Sequence, residues 1–173
     1  FAHPEMVFVY PEFLTTLPYE ELRSGFAEML KHGLIADEKH WNDLISIENL
    51  TAENIFLFIE TSTKIKENVV EKDFKEQNIR KTLNFGHTIG HALESLFLAK
   101  GKPILHGEAI AIGMICETHL SFLENLISDE IAVKIINNIR RFYPYQSIEN
   151  FSIEEILALK KKKKKNSDGN INF

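Results

Sequence analysis

The chain has 173 residues, of which 44% are hydrophobic and 26% charged, and its formal net charge is −5. This size and composition fit one soluble globular domain with a sizeable core, and the chain is too short for two ordinary domains. Its apolar runs are far shorter than the roughly 18 residues of a membrane span, and its basic residues are not interleaved with aromatics as in nucleic-acid-binding proteins.

The first predicted elements are a short strand and a helix. Residues 6–10 (MVFVY) are a β-type run that Pro11 ends, and no partner strand is evident nearby. A helix is predicted to start within residues 15–21, where the threonines offer a hydroxyl cap, Pro18 stands early and two acids occupy the first turn. Apolar residues then recur at helical spacing, so one face of this helix is expected to be buried.

Further helices are predicted along the rest of the chain. The second covers about residues 37–47, and Thr51 is a candidate cap for the third. The polar residues 73–78 predict a loop. The sequence therefore predicts a mainly α-helical fold. Helical patterns resume near Phe85 and Gly107, and they recur over about residues 123–142 and 153–159.

The C-terminal segment has a composition of its own. Six of the 20 basic residues form the unbroken run 160–165, and charge patterning alone favours a solvated tail there. Residues 168–173 (DGNINF) alternate like a turn followed by a short strand.

Two histidines, His87 and His91, lie four residues apart and so share one face of a helix. That spacing suits a metal or an acid–base pair, and Gly86 and Gly90 beside them allow another backbone or a ligand to approach closely. Two ordinary histidines on a helix surface are an equally good interpretation of this pair taken alone.

Two further polar clusters stand in apolar surroundings. Glu28 is adjacent in helical angle to Lys31 and His32, and an exposed ion pair is the simpler interpretation. His106 precedes a helix whose first turns are small residues, and a lone histidine is usually structural. Taken together, Glu28, His87 and His106 make a three-ligand set that leaves a fourth position for water or substrate, as in catalytic zinc sites.

Cations in unusual places accompany these clusters. Lys31 follows Glu28 by one turn, Lys66 lies on the predicted third helix, and Arg80 precedes Asn84 by four residues. Cations near a divalent metal indicate an anionic substrate whose carboxylate or phosphate they hold. Plain surface charges explain Lys66 and Arg80 equally well.

Three motifs carry a family resemblance. Residues 25–31 (GFAEMLK), 83–92 (LNFGHTIGHA) and 105–114 (LHGEAIAIGM) resemble the C-terminal domain of 3-dehydroquinate synthases, which are sugar-phosphate cyclases. That family combines an N-terminal NAD-binding α/β domain with a mainly helical, metal-binding C-terminal domain. The resemblance implies the second of these for residues 1–173, with residues 1–17 as strand and linker from the NAD-binding domain and residues 160–173 as a lysine-rich tail with a short strand.

The resemblance also implies roles for individual residues. It implies that Glu28, His87 and His106 bind a divalent metal, zinc or cobalt. It places His91 close to the reacting sugar as a polar or proton-transfer group. The implied substrate contacts are Lys31, Lys66, Arg80 and Asn84.

One more substrate contact is implied in the C-terminal tail. The family has an Asp-Lys-Lys segment before a turn and a strand, and residues 163–166 (KKKN) occupy that place here. We favour Lys164, with Lys165 next, because a run of six lysines fits more than one register.

For a complete enzyme, the resemblance implies metal- and NAD-dependent conversion of 3-deoxy-arabino-heptulosonate 7-phosphate to 3-dehydroquinate and phosphate, a step of the shikimate route to aromatic amino acids. No Gly-x-Gly phosphate loop follows a strand in this chain, so the NAD-binding domain is expected to be a separate part and the chain alone to lack turnover. A homodimer is expected. The single Cys116 and the lack of a signal pattern favour a cytoplasmic location.

Two alternatives stay open. One is a related cyclase that makes an inosose or valiolone-type product, and Arg80 argues against it because that substrate lacks the carboxylate assigned to this cation. The other is a non-catalytic helical module that has kept the metal fold. Neither a membrane nor a nucleic acid is an expected partner.

Overall fold

The computed structural model describes residues 5–144 and Glu155, and all regular structure in this part of the chain is helical. The prediction of a mainly helical domain is therefore confirmed. No helix among these residues is long and apolar enough to cross a membrane. Two short 3₁₀ helices, Pro11–Thr16 and Ile79–Asn84, accompany α1 (Tyr19–Ala36), α2 (Glu38–Ile45), α3 (Ala52–Lys72), α4 (His87–Ala99), α5 (His106–Leu123) and α6 (Asp129–Phe142).

The starts of α2 and α3 follow the sequence. The Asp37 carboxylate accepts a hydrogen bond from the His40 amide at 2.9 Å, and the Thr51 hydroxyl accepts one from the Asn54 amide at 3.2 Å. Each side chain satisfies an amide that has no partner within its helix, which contributes about 1 kcal/mol to stability. The polar residues 73–78 form the predicted loop.

The predicted hydroxyl cap of α1 is wrong. Thr15 and Thr16 belong to the first 3₁₀ helix, where their hydroxyls donate to the carbonyls of Glu12 and Phe13. α1 starts after Pro18 without a side-chain cap. A hydroxyl that bonds a carbonyl three residues earlier is not available to cap the next helix.

The helix predicted over residues 123–142 starts too early. α5 extends to Leu123, and Asn125 then adopts a left-handed backbone conformation with φ of 57°, which is typical of a helix end. α6 begins only at Asp129, where the Ser128 hydroxyl accepts a hydrogen bond from the Ile131 amide.

The predicted N-terminal strand is not formed. Residues 6–10 are irregular and their side chains are exposed, Phe8 to 87%. A strand needs a neighbour for its amides and carbonyls, and residues 5–144 contain no second strand to pair with this segment. The helix predicted over residues 153–159, Glu155 apart, and the predicted C-terminal strand lie outside the described residues.

α1 lies at the centre of the hydrophobic core. Its Phe26 and Leu30 are fully buried and belong to one cluster with Ile110 and Met114 of α5. Phe26 also packs edge-on against Phe142 of α6, with ring centroids 4.9 Å apart. Burial of each of these large side chains stabilises the fold by about 2 to 3 kcal/mol. α1 and α5 therefore form a rigid pair on which the polar side chains described below are mounted.

Glycines set the distance between α5 and its neighbours. A Cβ atom at Gly113 would lie 1.9 Å from the Gly86 carbonyl oxygen, and one at Gly107 would lie 1.9 Å from the Ser24 carbonyl oxygen. Only a residue without a side chain allows two backbones to approach this closely. The start of α4 and the first half of α1 are therefore both held directly against α5.

Candidate metal centre and adjoining cleft

Three imidazoles meet where α4 and α5 begin. The ring centroids of His87 and His91 are 5.1 Å apart, and each lies 5.5 Å from the ring of His106. One nitrogen from each ring can be chosen so that all three lie within 4.8 Å of one another. The two histidines of α4 are thus not independent surface residues, because a third imidazole from another helix faces both.

Glu28 of α1 completes this cluster. Its Oε1 atom lies 3.4 Å from Nε2 of His87 and 3.8 Å from Nε2 of His106. Oε1 is buried and has no hydrogen-bond partner within the described residues, whereas Oε2 pairs with the Lys31 ammonium at 2.6 Å. Burial raises the pKa of Glu28, but the neighbouring His87 and Lys31 outweigh it and lower the pKa to about 2. Glu28 is therefore a carboxylate at neutral pH.

The orientation of His87 is fixed by its own turn. Its Nδ1 atom lies 3.2 Å from the Phe85 carbonyl oxygen. A carbonyl oxygen can only accept, so Nδ1 carries the proton and a neutral ring turns an Nε2 lone pair towards Glu28. Glu28 Oε1 and His87 Nε2 can face each other across 3.4 Å only with a proton or a metal ion between them.

The donor set fits a metal ion of the zinc type. In a tetrahedral zinc site with bonds of about 2.0 to 2.1 Å, two ligand atoms lie about 3.4 Å apart, which is the separation between Glu28 Oε1 and His87 Nε2. Two imidazole nitrogens and one carboxylate oxygen are also a ligand set that catalytic zinc sites use. The buried, unpartnered Oε1 is the atom that such an ion would satisfy.

His106 is placed by contacts between α1 and α5. The Arg23 guanidinium pairs with the Glu108 carboxylate, and the Gly107 amide donates to the Ser24 hydroxyl at 2.9 Å. The Tyr143 hydroxyl adds a hydrogen bond to the Arg23 carbonyl at 2.7 Å. Because Ser24 lies one turn before Glu28, these bonds hold the first residue of α5 beside the carboxylate.

A second carboxylate faces His106 from the other side. Oε2 of Glu94, on α4, lies 3.6 Å from Nδ1 of His106, while Nε2 of the same ring faces Glu28. The sequence alone did not single out Glu94. Its signal is its position seven residues after His87, two turns along the same helix.

A polar cleft adjoins the cluster. It has a volume of about 200 Å³ and opens beside Glu28 and His87. All three predicted cations and Asn84 line it, so the structure brings them together with two of the predicted metal ligands. The lining residues are Glu28, Lys31, Lys66, Glu76, Arg80, Leu83, Asn84 and His87.

The loop between α3 and the second 3₁₀ helix carries one wall of this cleft. The buried Asp73 carboxylate accepts from the amides of Gln77, Asn78 and Arg80, at 2.9, 2.6 and 3.1 Å. The Arg80 guanidinium donates to the Phe74 carbonyl at 2.8 Å. Asp73 thus shapes the loop that presents Arg80, a role that the polar composition of the segment did not reveal.

Glu76 was also not found from the sequence. It has a left-handed backbone with φ of 56°, and its carboxylate accepts a hydrogen bond from the Asn84 side-chain amide at 2.8 Å. Asn84 is thereby held at the cleft, with its amide NH₂ group turned towards a carboxylate. Lys164, the predicted contact from the tail, lies outside the described residues.

Behind His87 lies one more buried carboxylate. Glu117 of α5 is 6% exposed, and its Oε2 accepts a hydrogen bond from the Gly86 amide at 2.8 Å. Burial raises the pKa of Glu117 above its usual value, and the amides of Gly86, Ile89 and Thr88 and the nearby His87 offset only part of that rise. In the sequence it is a charged residue in an apolar helix, four residues after Gly113, and that conflict with the pattern was the available signal.

Comparison with solved structures defines the class of this domain. The chain superposes on a 2-deoxy-scyllo-inosose synthase complexed with carbaglucose-6-phosphate, NAD⁺ and Co²⁺, with a TM-score of 0.70 and 27% identity over 86% of this chain and 41% of that chain. A 2-epi-5-epi-valiolone synthase from Streptomyces hygroscopicus subsp. jinggangensis, with NAD⁺ and Zn²⁺ bound, has the same fold, with a TM-score of 0.75 at 22% identity over 88% of this chain and 43% of that chain. The class is the helical domain of the sugar-phosphate cyclases.

Within that class the family is specific. Residues 25–166 match the family of 3-dehydroquinate synthase C-terminal domains, and the chain belongs to this family. The 3-dehydroquinate synthase of Parabacteroides distasonis is 39% identical over all of this chain and 50% of its own length, and that of Caldanaerobacter subterraneus subsp. tengcongensis is 36% identical over all of this chain and 49% of its own length. The chain thus spans about half the length of these relatives.

Proposed function

We propose that this chain is the metal- and substrate-binding half of a 3-dehydroquinate synthase, which converts 3-deoxy-arabino-heptulosonate 7-phosphate to 3-dehydroquinate and phosphate in the shikimate route. The observation that carries the proposal is the buried, unpartnered Oε1 of Glu28, which faces His87 and His106 at one end of a cleft lined by cations. The names of the relatives that match the whole chain support the same reaction.

Glu28, His87 and His106 are the proposed metal ligands, and zinc or cobalt is the proposed ion. When bound, the ion supplies Lewis-acid polarisation of a substrate hydroxyl and of the ketone derived from it. The three residues leave one coordination position for the substrate. A set of His87, His91 and His106 is the competing assignment, because these rings also lie within reach of one another. The buried, unpartnered Oε1 of Glu28, 3.4 Å from Nε2 of His87, favours the first set.

The cations of the cleft hold the anionic ends of the substrate. Lys31, Lys66 and Arg80 are proposed to bind its carboxylate and phosphate, with Asn84 as a neutral hydrogen-bond donor. Burial lowers the pKa of Lys31, and the nearby charge of Lys66 adds a smaller lowering, so an anion bound beside both cations relieves this repulsion. Holding both ends fixes the reacting ring, so positioning and electrostatics supply most of the rate gain.

Proton transfer is assigned to His91. Its ring lies 5.1 Å from that of His87, and an imidazole titrates in the range that proton relay at neutral pH requires. Lys164 is proposed to approach the substrate from the C-terminal tail.

The remaining parts of the enzyme are proposed to lie outside this chain. Residues 1–173 form one helical domain, in which residues 1–17 lead from an NAD-binding domain and residues 160–173 form the lysine-rich tail. NAD is bound mainly by that other domain, and the complete protein is a cytoplasmic homodimer. About half of each relative's length is unmatched, which leaves room for a domain of this size.

Metal content and turnover test the proposal together. Purified chain, reconstituted with zinc or cobalt, is analysed for metal by elemental mass spectrometry beside Glu28→Gln, His87→Ala and His106→Ala. We expect about one ion per wild-type chain and loss of the ion in each variant. The control is Glu60→Gln, at an exposed position of α3, which should retain the ion. Turnover is expected only when the NAD-binding domain is supplied. A folded wild-type chain that binds no metal, or turnover by the chain alone, contradicts the proposal.

A related cyclase is the second candidate, because the solved neighbours make inosose and valiolone products. Those substrates lack the carboxylate that we assign to Arg80. A panel of sugar phosphates assayed with the complete protein separates the two candidate functions. Turnover of a substrate without a carboxylate would support the related cyclase. A complete protein that binds metal and NAD but turns over none of them would be the non-catalytic module.

A further inference from the structure

We infer that Glu117 is a positioning residue for His87, and that it acts through the single peptide unit between Phe85 and Gly86. The N–H of this peptide donates to Glu117 Oε2 at 2.8 Å, and its C=O accepts from His87 Nδ1 at 3.2 Å. The carboxylate, the peptide and the imidazole thus form one chain of hydrogen bonds. The inference rests on the proposed role of His87 as a metal ligand.

The chain of hydrogen bonds determines which nitrogen of His87 is free. A carboxylate that accepts from a peptide N–H polarises that peptide and strengthens its carbonyl as an acceptor. A stronger carbonyl acceptor favours the proton on Nδ1 and leaves the Nε2 lone pair directed at Glu28. Many metal-binding histidines receive this support from a carboxylate in direct contact. Here a peptide bond stands between the two groups.

The packing of α4 on α5 makes this connection rigid. Gly113 and Glu117 lie four residues apart and so share one face of α5, and Gly113 allows the Gly86 carbonyl to approach that face. Gly86 itself has a left-handed backbone, with φ of 79°, and its missing side chain leaves room for Met114. The helix dipole adds to the effect, because a carboxylate is favoured at the positive N-terminus of α4.

No residue of α4 caps its own N-terminus. Gly86 is at the cap position and has no side chain, so the Glu117 carboxylate from α5 accepts the hydrogen bond of its amide instead. A purely structural cap would stabilise the helix without altering the histidine. The proposed relay instead predicts an effect on the tautomer of His87 and on metal affinity, and these two quantities separate the roles.

The test compares Glu117→Gln and Glu117→Leu with a matched control in the same helix. Glutamine keeps an acceptor oxygen for the Gly86 amide but loses the charge, and leucine loses both. The control is Thr118→Val, because Thr118 is equally buried and its hydroxyl has no hydrogen-bond partner in the part of the chain that the structure describes. Zinc affinity is measured by competition with a chelator, and the His87 tautomer by ¹⁵N NMR of the metal-free chain.

We expect zinc affinity to fall about 10-fold in the glutamine variant and further in the leucine variant, with no change in Thr118→Val. In the metal-free wild type, His87 should be protonated at Nδ1, and the leucine variant should shift towards the other tautomer. A wild-type His87 protonated at Nε2, or a folded glutamine variant with unchanged affinity, overturns the inference. If the wild type does not bind zinc, only the proposed function is contradicted. The tautomer of His87 in the metal-free chain then tests the inference about Glu117.

Discussion

The Nζ atom of Lys31 lies 2.6 Å from Oε2 of Glu28, one turn earlier on α1, although the Lys31 side chain is only 3% exposed. The ion pair that the sequence suggests is therefore present, but it lies in a buried position beside the imidazoles and not on a solvent-exposed helix face. Burial lowers the pKa of Lys31 and the Glu28 charge raises it. The pair occupies Oε2 and leaves Oε1 for the proposed metal ion.

Replacing Lys31 by methionine tests this division of the carboxylate. Lys31→Met removes the cation and leaves the partly buried Glu28 charge uncompensated, so we expect the metal-free chain to lose about 1 to 3 kcal/mol of unfolding free energy. A bound metal ion restores a positive charge beside Glu28. The gain in melting temperature on adding zinc should therefore be larger in the variant than in the wild type, as measured by calorimetry.

The control for this variant is Lys39→Met. Lys39 pairs with Asp43 at 2.5 Å on α2, but its side chain is 85% exposed and water screens the pair, so the loss of unfolding free energy should be much smaller than in Lys31→Met. Equal losses in the two variants, or an equal response to zinc in Lys31→Met and the wild type, would refute the assignment of one oxygen to each cation.

Gly113 is predicted to tolerate no side chain. A Cβ atom there would meet the Gly86 carbonyl oxygen at 1.9 Å and the Gly90 amide nitrogen at 2.9 Å, so α4 must move away from α5. We expect Gly113→Ala to cost about 1 to 3 kcal/mol of unfolding free energy in urea titrations. Because α4 carries His87, zinc affinity should fall as well.

A matched glycine-to-alanine change at another position should raise the unfolding free energy instead of lowering it. Gly25 lies within α1, and a Cβ atom there has nothing within 4 Å. Alanine lowers the entropy of the unfolded chain and favours the helix, so Gly25→Ala should add about 0.5 to 1 kcal/mol of stability. If Gly113→Ala proved as stable as Gly25→Ala, the close contact between α4 and α5 would not exist in solution.

His91 distinguishes the two possible donor sets. If Glu28, His87 and His106 hold the metal, His91→Ala should retain about one zinc ion per chain, and Glu28→Gln should weaken binding by at least about 100-fold. If the three imidazoles hold it, the order of the two effects is reversed. Both variants are compared by titration of cobalt, whose visible absorption reports on the ligands.

Local sequence patterns are enough to bring forward the residues that the structure groups around Glu28. Glu28, His87 and His106 were identified by residue type and motif, and each stands on a helix whose periodicity was visible. Lys66 and Arg80 were placed near them by resemblance, and the cleft brings both together with Glu28. These residues could be found because each belongs to a pattern of only a few neighbouring positions.

The sequence failed where a role depends on a contact between distant segments. Glu117 is 31 residues from Gly86, and only the close packing of α4 on α5 shows why a carboxylate is buried there. From the sequence, Asp73 is only one polar residue of a loop. Its role in shaping that loop is seen only in its three hydrogen bonds to backbone amides. The N-terminal strand failed for the same reason, because pairing depends on a partner that no local pattern supplies.

Acid should weaken the fold through His32. This residue is buried on α1, and its Nδ1 lies 2.7 Å from the Ser62 hydroxyl oxygen of α3. Burial lowers its pKa from 6.5 to about 4, with further lowering by Lys31 and Lys66, which the charge of Glu28 partly opposes. The unfolded chain therefore takes up the proton first. Stability from the neutral ring is fully present above pH 6.5 and is lost as the pH falls to about 4.

This loss amounts to about 3 kcal/mol for His32, and burial of His40, whose pKa is also lowered, adds to it in the same direction. We expect His32→Gln to be less stable than the wild type at pH 7.5 but to lose less stability between pH 6.5 and pH 4. Urea denaturation in the presence of a chelator measures both quantities without a contribution from metal. His119→Gln is the control, since His119 is exposed on α5. A pH dependence that is the same in His32→Gln, His119→Gln and the wild type would show that the His32 ring is not held neutral by its burial.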